Sequence, residues 1–172
     1  MSFDISGSLK VILNMVFGRT LALSTIEAPL NIYTTYSFSF GEAANQITQL
    51  YHDSVVLADG ANTTLNLYDS GTLKDSFGND VEISALKLLL VKNNSTDATL
   101  LLLGGNSADL PICSDPADQI KIPPGGTFIW TNMSAAGTDI TTNKNLKLTH
   151  DGTGSSTMNV SVVVGGINEA IS

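Results

Sequence analysis

Few residues in this chain are of a type and spacing that could do chemistry. Asp69-Ser70-Gly71 matches the aspartic-protease triplet. That mechanism needs two carboxylates sharing one proton, so a single triplet would require a symmetric dimer. Here the triplet runs into the polar stretch Thr72-Leu73-Lys74-Asp75, and Asp-Ser-Gly is also ordinary turn chemistry. A turn is the expectation. The only histidines sit in His52-Asp53 and His150-Asp151. A serine hydrolase would add an activated serine, and no Gly-x-Ser-x-Gly elbow occurs anywhere in the chain. Zinc would require the histidines to meet Cys113 or Asp115, which the spacing does not suggest. Both histidines are expected on loops or at the surface.

Asp115, Asp118, Asp139 and Asp151 offer loop oxygens to a cation, but none falls in the Asp-x-Asp-x-Asp-Gly spacing of an EF-hand. There is no Gly-x-x-x-x-Gly-Lys or Gly-x-Gly-x-x-Gly phosphate loop. Trp130, the single tryptophan, is flanked by Phe128 and Ile129. It reads as core or interface more readily than as a sugar-stacking platform. The expectation is a non-enzymatic protein with no catalytic residue, no metal and no cofactor.

Composition narrows the partners. The chain has 172 residues, 16 acidic and 8 basic, for a formal net charge of -8. Its basic residues are scattered and only Arg19 is an arginine. Counterion release on nucleic acid needs cations clustered on one face, so nucleic acid is not an expected partner. Charged residues are only 14% of the total, whereas Ser, Thr and Asn together supply 50 positions. That hydroxyl- and amide-rich surface fits strands better than helices. No run approaches the ~20 apolar residues of a membrane-spanning helix, so no membrane partner is expected. Asp4 and the interruption of Leu9 to Phe17 by Lys10 and Asn14 do not fit a signal peptide. Synthesis in the cytoplasm of a host cell is expected. The lone Cys113 has no intramolecular partner for a disulfide.

Hydrophobic periodicity then supplies the elements. Leu9, Val11, Leu13, Met15 and Phe17 alternate with other residues, as do Leu30, Ile32, Thr34, Tyr36, Phe38 and Phe40. Period two predicts strands with one buried face, the second contributing aromatics to the core. Asp59-Gly60, between apolar Val55 to Ala58 and the stretch Thr63 to Tyr68, predicts a hairpin. Asn93 to Asp97, between Val81 to Lys92 and Ala98 to Leu103, predicts another. Ser84 to Val91 reads as strand despite its leucines, because turns bound it closely. Gly104 to Gln119 reads as a long connection, and Pro123-Pro124-Gly125-Gly126 as a turn. Short strands follow near Leu146 to Thr149 and Met158 to Val164. Glu42 to Gln46 is the only helical candidate.

Nine or ten strands with turns every 8 to 12 residues predict an all-β, single-domain β-sandwich. The expected domain is 1–172, with 1–17 an N-terminal arm and 167–172 a C-terminal tail. Its expected core includes Ile32, Phe38, Phe40, Leu88, Leu90, Leu101, Val162 and Val164.

From about Leu57 to Gly166 the chain carries a series of turn and strand signatures. They are Ala58-Asp59-Gly60, Thr64 to Leu67, Phe77-Gly78, "ISALKLLLVKN" from Ile83, "LLLLGG" from Leu100 and "IPPGGTF" from Ile122. Leu146-Lys147-Leu148 and the strand Val160 to Gly165 close it. This series resembles the jelly-roll capsid decoration, or cement, proteins of tailed phages. The resemblance implies a β-sandwich of jelly-roll type on the outer surface of an icosahedral virion, commonly a homotrimer, tying major capsid protein subunits together. It brings no catalytic residues. The first 50 or so residues lie outside it, so the N-terminal arm and the tail are the expected assembly contacts: Phe3, Ile5, Leu9, Val11, Ile167 and Ile171. Two other functions remain open at this point. One is a carbohydrate- or receptor-binding module of a tail or fibre; the other is a tail-tube or head-completion protein.

Overall fold

Period-two sequence with turn residues at short intervals folds here into strands alone. The structure is a computed structural model that describes residues 4–21, 24–69, 71–96, 100–103, 109–112, 118–152 and 157–168, without the side chains of 19–26 and 100–103. Every regular element among the described residues is a β-strand. The helical turn expected at Glu42 to Gln46 is instead a tight turn. Gln46 N–H donates to Ala43 O at 3.1 Å and Ala43 N–H to Gln46 Oε1 at 3.0 Å. Asn45, at φ 61°, is left-handed and breaks any helical continuation.

The chain divides into two compact units, Met1–Phe40 and Gly41–Ser172. The arm expected to end at residue 17 therefore extends through both early strands. The first unit is one long antiparallel hairpin of β1 (Ser6–Leu21) and β2 (Ser24–Phe40). Its register is unbroken from Ser6↔Ser39 to Leu21↔Ser24. At ~3.3 Å per residue the hairpin is roughly 50 Å long.

The second unit holds β3 (Gln46–Ile47), β4 (Gln49–Leu57), β5 (Asn62–Asn66), β6 (Ala85–Asn93), β7 (Leu100–Leu103), β8 (Gln119–Ile122), β9 (Thr127–Thr131), β10 (Thr138–Asp139), β11 (Asn145–His150) and β12 (Met158–Ile167). Its antiparallel pairs are nested: β4 with β12, β5 with β11, β6 with β9 and β7 with β8. Further pairings of β6 with β12 and β7 with β11 join these ribbons into two sheets. One runs β4-β12-β6, with β9 and β10 on the far edge of β6; the other runs β5-β11-β7-β8.

From β4 to β12, only β7 and β8 are consecutive strands that pair with each other. The two hairpins expected at Asp59-Gly60 and Asn93 to Asp97 are therefore not hairpins. Each turn carries the chain from one sheet to the other. Gly60, at φ +67°, supplies the left-handed residue of the first. The N–H of Ala61 bonds back to Ala58 O, and Ala61 O accepts from His150 N–H on β11.

Both sheets feed one core, which includes Tyr51, Leu57, Leu86, Leu89, Val91, Ile122, Leu146, Leu148 and the Met158, Val160, Val162, Val164 stripe of β12. Expected core residues Val162 and Val164 lie in it. Expected core residue Leu88 is also buried, but it lies off the inward stripe, as does half-buried Leu90. A β-bulge is the reason: Gly165 pairs with Leu88 but Gly166 pairs with Leu86, so Lys87 is an extra residue on β6. The inward positions pass from Leu86 to Leu89 and Val91 across it. Lys87 is fully buried and its Nζ donates to Ala43 O at 2.9 Å and Glu42 O at 3.4 Å. Opposite the bulge, a side chain at Gly166 would run into Ala85 O and Ile83 Cγ2, so glycine is required there. Of the remaining expected core residues, Phe38 is buried, while Ile32 and Phe40 are exposed. The side chain of Leu101 lies outside the described residues.

The bulge makes a stability prediction. Leu89→Ala should cost about 2–5 kcal/mol, the range for truncating a fully buried leucine, while Leu90→Ala should cost under ~1 kcal/mol. Chemical denaturation of the two variants checks this. Equal losses would contradict the shifted register.

Candidate functional site

Residues opposite one another in an antiparallel pair share a face. The β1–β2 register therefore sorts the hairpin's side chains. One face gathers Leu9, Val11, Leu13, Met15 and Phe17 with Ala28, Leu30, Ile32, Thr34, Tyr36 and Phe38. The other gathers Ser8, Lys10, Ile12, Asn14 and Val16 with Pro29, Asn31, Tyr33, Thr35 and Ser37. Every described charged side chain within the two strands, Lys10 and Glu27, falls on the second face. Six large residues of the apolar face (Val11, Leu13, Met15, Phe17, Leu30 and Ile32) are exposed, from 39% at Val11 to 77% at Phe17.

The sequence-predicted contacts distribute unevenly over this surface. Leu9 and Val11 lie on the apolar face, Leu9 half-buried and Val11 exposed. Ile5 is half-buried just before β1. Phe3 and Ile171 lie outside the described residues. Ile167 is a correction: it is fully buried as the last residue of β12, paired with Ala85, so its side chain belongs to the interior and is closed to a partner. Met15 and Phe17 fall within the arm expected to make contacts without having been singled out, whereas Leu30 and Ile32 were read as part of a buried strand face. Their alternation was visible, but alternation alone does not say whether the apolar face meets a core.

A second feature lies on the body. A pocket of ≈ 450 Å³ is lined by Tyr51, His52, Asp53, Thr72, Lys74 and Ser76 among others. Within it Ser76 Oγ and His52 Nε2 are 2.8 Å apart. This is the nucleophile–base spacing of a hydrolase, which also needs an acid to orient the imidazole. The adjacent Asp53 carboxylate is engaged elsewhere, accepting from Ser54 N–H at 2.7 Å and from Tyr51 OH at 3.1 Å. Burial, then the hydrogen bond to Asp53 and its charge, push the Tyr51 hydroxyl up to about 12. The Ser76–His52 contact instead ties the turn 74–80 to β4.

That turn is closed by Asp75. Its Oδ1 accepts from Phe77 N–H and Asn79 N–H, both at 2.8 Å, and its Oδ2 from Asn79 Nδ2 at 2.9 Å. Lys74 and Asp80 form an ion pair across the base. Phe77 projects from the tip, 84% exposed.

The other candidates resolve into structural roles. Asp69 lies in a left-handed turn at φ 61°, its N–H bonded to Glu82 Oε1 and its carboxylate 3.3 Å from Lys144 Nζ. Ser70 of that triplet lies outside the described residues. His150 is buried rather than on a loop or the surface. It takes the inward position after Leu146 and Leu148 on β11, and its Nδ1 accepts from Gly152 N–H at 2.9 Å. Asp59 Oδ1 lies 3.8 Å from the same nitrogen. Asp139 accepts from Thr141 N–H and Oγ1, and those bonds hold its carboxyl below the usual range. Asp151 faces Lys121 at 3.5 Å. Cys113 and Asp115 lie outside the described residues. Among the described residues, no three His, Cys, Asp or Glu side chains cluster as a metal site. Trp130 is half-buried on β9 against the core.

Comparison with protein-family models, with curated proteins and with solved structures finds no match to this chain.

Asp75 generates a pH prediction. Asn79's side-chain amide, the largest influence, holds its carboxyl below the ordinary carboxylate range; desolvation opposes it, and the backbone N–H groups of Asn79, Phe77 and Gly78 add to the lowering. A depressed folded-state pKa gives stability that is present above the unfolded value and lost as pH falls through the folded one. The turn should therefore keep its structure through the ordinary carboxylate range and loosen only in stronger acid. The amide shifts of Phe77 and Asn79, followed by NMR titration, check this; a midpoint at or above the ordinary aspartate value would contradict it.

Proposed function

We propose that this chain is a non-enzymatic structural subunit of a phage virion, decorating the outside of an icosahedral capsid and bridging its subunits. The observation that carries the reading is the exposed apolar face of the β1–β2 hairpin. Isolated two-stranded hairpins are marginal in water, and exposed apolar patches of this extent mark interaction surfaces. A hairpin that presents one apolar face along both strands is suited to lie against a neighbouring subunit.

The strand order supports the jelly-roll part of the resemblance. Nested pairs β4–β12, β5–β11, β6–β9 and β7–β8 describe one long antiparallel ribbon. Folding that ribbon over itself gives two four-strand layers, β4-β12-β6-β9 and β5-β11-β7-β8, with most turns crossing between layers. An eight-strand, double-sheet jelly roll has this arrangement, and such folds recur in capsid and lectin domains. Fold alone does not assign function; the hairpin is what favours assembly. In an oligomer on a capsid, several weak contacts would act together and hold firmly through multivalency.

One observation favours the alternative of a carbohydrate- or receptor-binding module. Phe77 projects beside a pocket of tyrosine, histidine and carboxylate side chains, and an exposed ring next to polar groups is a sugar-stacking arrangement.

Adding the purified chain to heads that lack it, followed by imaging, separates the two. Regular occupancy at local threefold or hexamer positions is the expected result. Absence from heads together with retention on a glycan array would overturn the decoration reading in favour of the alternative.

A further inference from the structure

We infer that the apolar face of the hairpin is covered by the same face of the hairpin of a second copy of this chain. The inference rests on the assembly reading for the premise that the face is covered, and it goes further by naming the occupant.

Area is the first argument. The six exposed residues of that face present on the order of 600 Å² of apolar surface, at the upper limit for monomers and near the ~800 Å² per partner of a standard interface. The face is continuous, because its residues are register neighbours: Val11 with Thr34, Leu13 with Ile32, Met15 with Leu30, Phe17 with Ala28.

A second copy must then offer a matching surface, and its body does not. The large apolar residues exposed on the described body are Val56, Phe77 and Ile129. Val56 is on β4 and Ile129 on β9, at opposite edges of one sheet, while Phe77 sits on the 74–80 turn. They form no patch. Among the described residues, the surfaces of that length lie on the hairpin itself; the face of Val11, Leu13, Met15, Phe17, Leu30 and Ile32 is free of charge, whereas on the opposite face exposed Ile12, Val16 and Tyr33 are interrupted by Lys10, Asn14, Asn31 and Glu27.

Charge points the same way. Residues 1–40 contain Asp4 and Glu27 against Lys10 and Arg19, so the hairpin is neutral and the whole net charge of -8 resides in residues 41–172. Two bodies repel one another at close range, whereas two hairpins do not. Surface charges more than ~8–10 Å apart are screened at physiological salt. A hairpin roughly 50 Å long offers copies that much length without net charge along which to join. Copies therefore meet through their arms, burying Val11, Leu13, Met15, Phe17, Leu30 and Ile32 between them.

The test uses the full chain and two pairs of substitutions that differ only in face. Leu13→Asp with Ile32→Asp places charge on the apolar face. Ile12→Asp with Tyr33→Asp, one register step away, places it on the opposite, mixed face, where Ile12 and Tyr33 are already 57% and 65% exposed. Light scattering during size-exclusion chromatography at micromolar concentration reads the number of chains, and thermal unfolding confirms that the body is intact in each variant. Wild type and Ile12→Asp/Tyr33→Asp are expected to carry the mass of two or more chains, and Leu13→Asp/Ile32→Asp the mass of one. A monomeric wild type, or equal dissociation by both pairs, would overturn the inference. A monomeric chain that still occupies heads would sink this inference alone. An assembled chain that never occupies heads would sink only the decoration reading.

Discussion

A sheet of two strands cannot shelter its own apolar face. In the body of this protein that constraint is met by a second layer, so Leu146, Leu148 and His150 of β11 face the same interior as Met158, Val160, Val162 and Val164 of β12. In the hairpin the same alternation, over longer strands, ends in exposed Val11, Leu13, Met15 and Phe17. One chain thus carries two answers to one problem, the first internal and the second, on the reading proposed, supplied by another molecule. The division at Phe40 is where one gives way to the other.

The body's own regularity depends on a small irregularity. Lys87 adds a residue to β6 opposite the Gly165–Gly166 step, and only glycine at 166 leaves room for Ala85 O and Ile83. A buried ammonium is costly unless satisfied, and here the carbonyls of Glu42 and Ala43 receive it. The bulge, the glycine and the 42–43 turn therefore stand or fall together. Their joint effect is to switch which leucines of β6 reach the core.

Much of this was legible in the sequence. Strands at Leu9 to Phe17, Leu30 to Phe40, Ser84 to Val91 and Met158 to Val164 follow from period two and bounding turns. Pairing partners were not legible. Asp59-Gly60 has the chemistry of a hairpin turn, yet a corner between sheets needs the same left-handed residue, and local chemistry cannot tell them apart. Leu88 and Leu90 looked equivalent to Leu89 and Val91, because a bulge changes parity without a sequence mark. Ile32 and Phe40 looked like core since an apolar stripe reads alike whether a second layer or another molecule covers it. The pocket at His52 and Ser76 was hidden for a simpler reason: 24 residues separate its two partners. The sparse charge, first read as excluding helices and nucleic acid, gains a place: its net excess of -8 lies wholly in residues 41–172, and residues 1–40 sum to zero.

The central claim is that another protein chain covers the hairpin's apolar face in the working assembly. Hydroxyl-radical footprinting of the protein in its native assembly, read residue by residue, tests it most directly. Met15 and Phe17, on the apolar face, should be protected relative to the dispersed chain, while Tyr33 on the opposite face stays reactive. Met15 and Phe17 oxidised as readily in the assembly as in the dispersed chain would contradict the account.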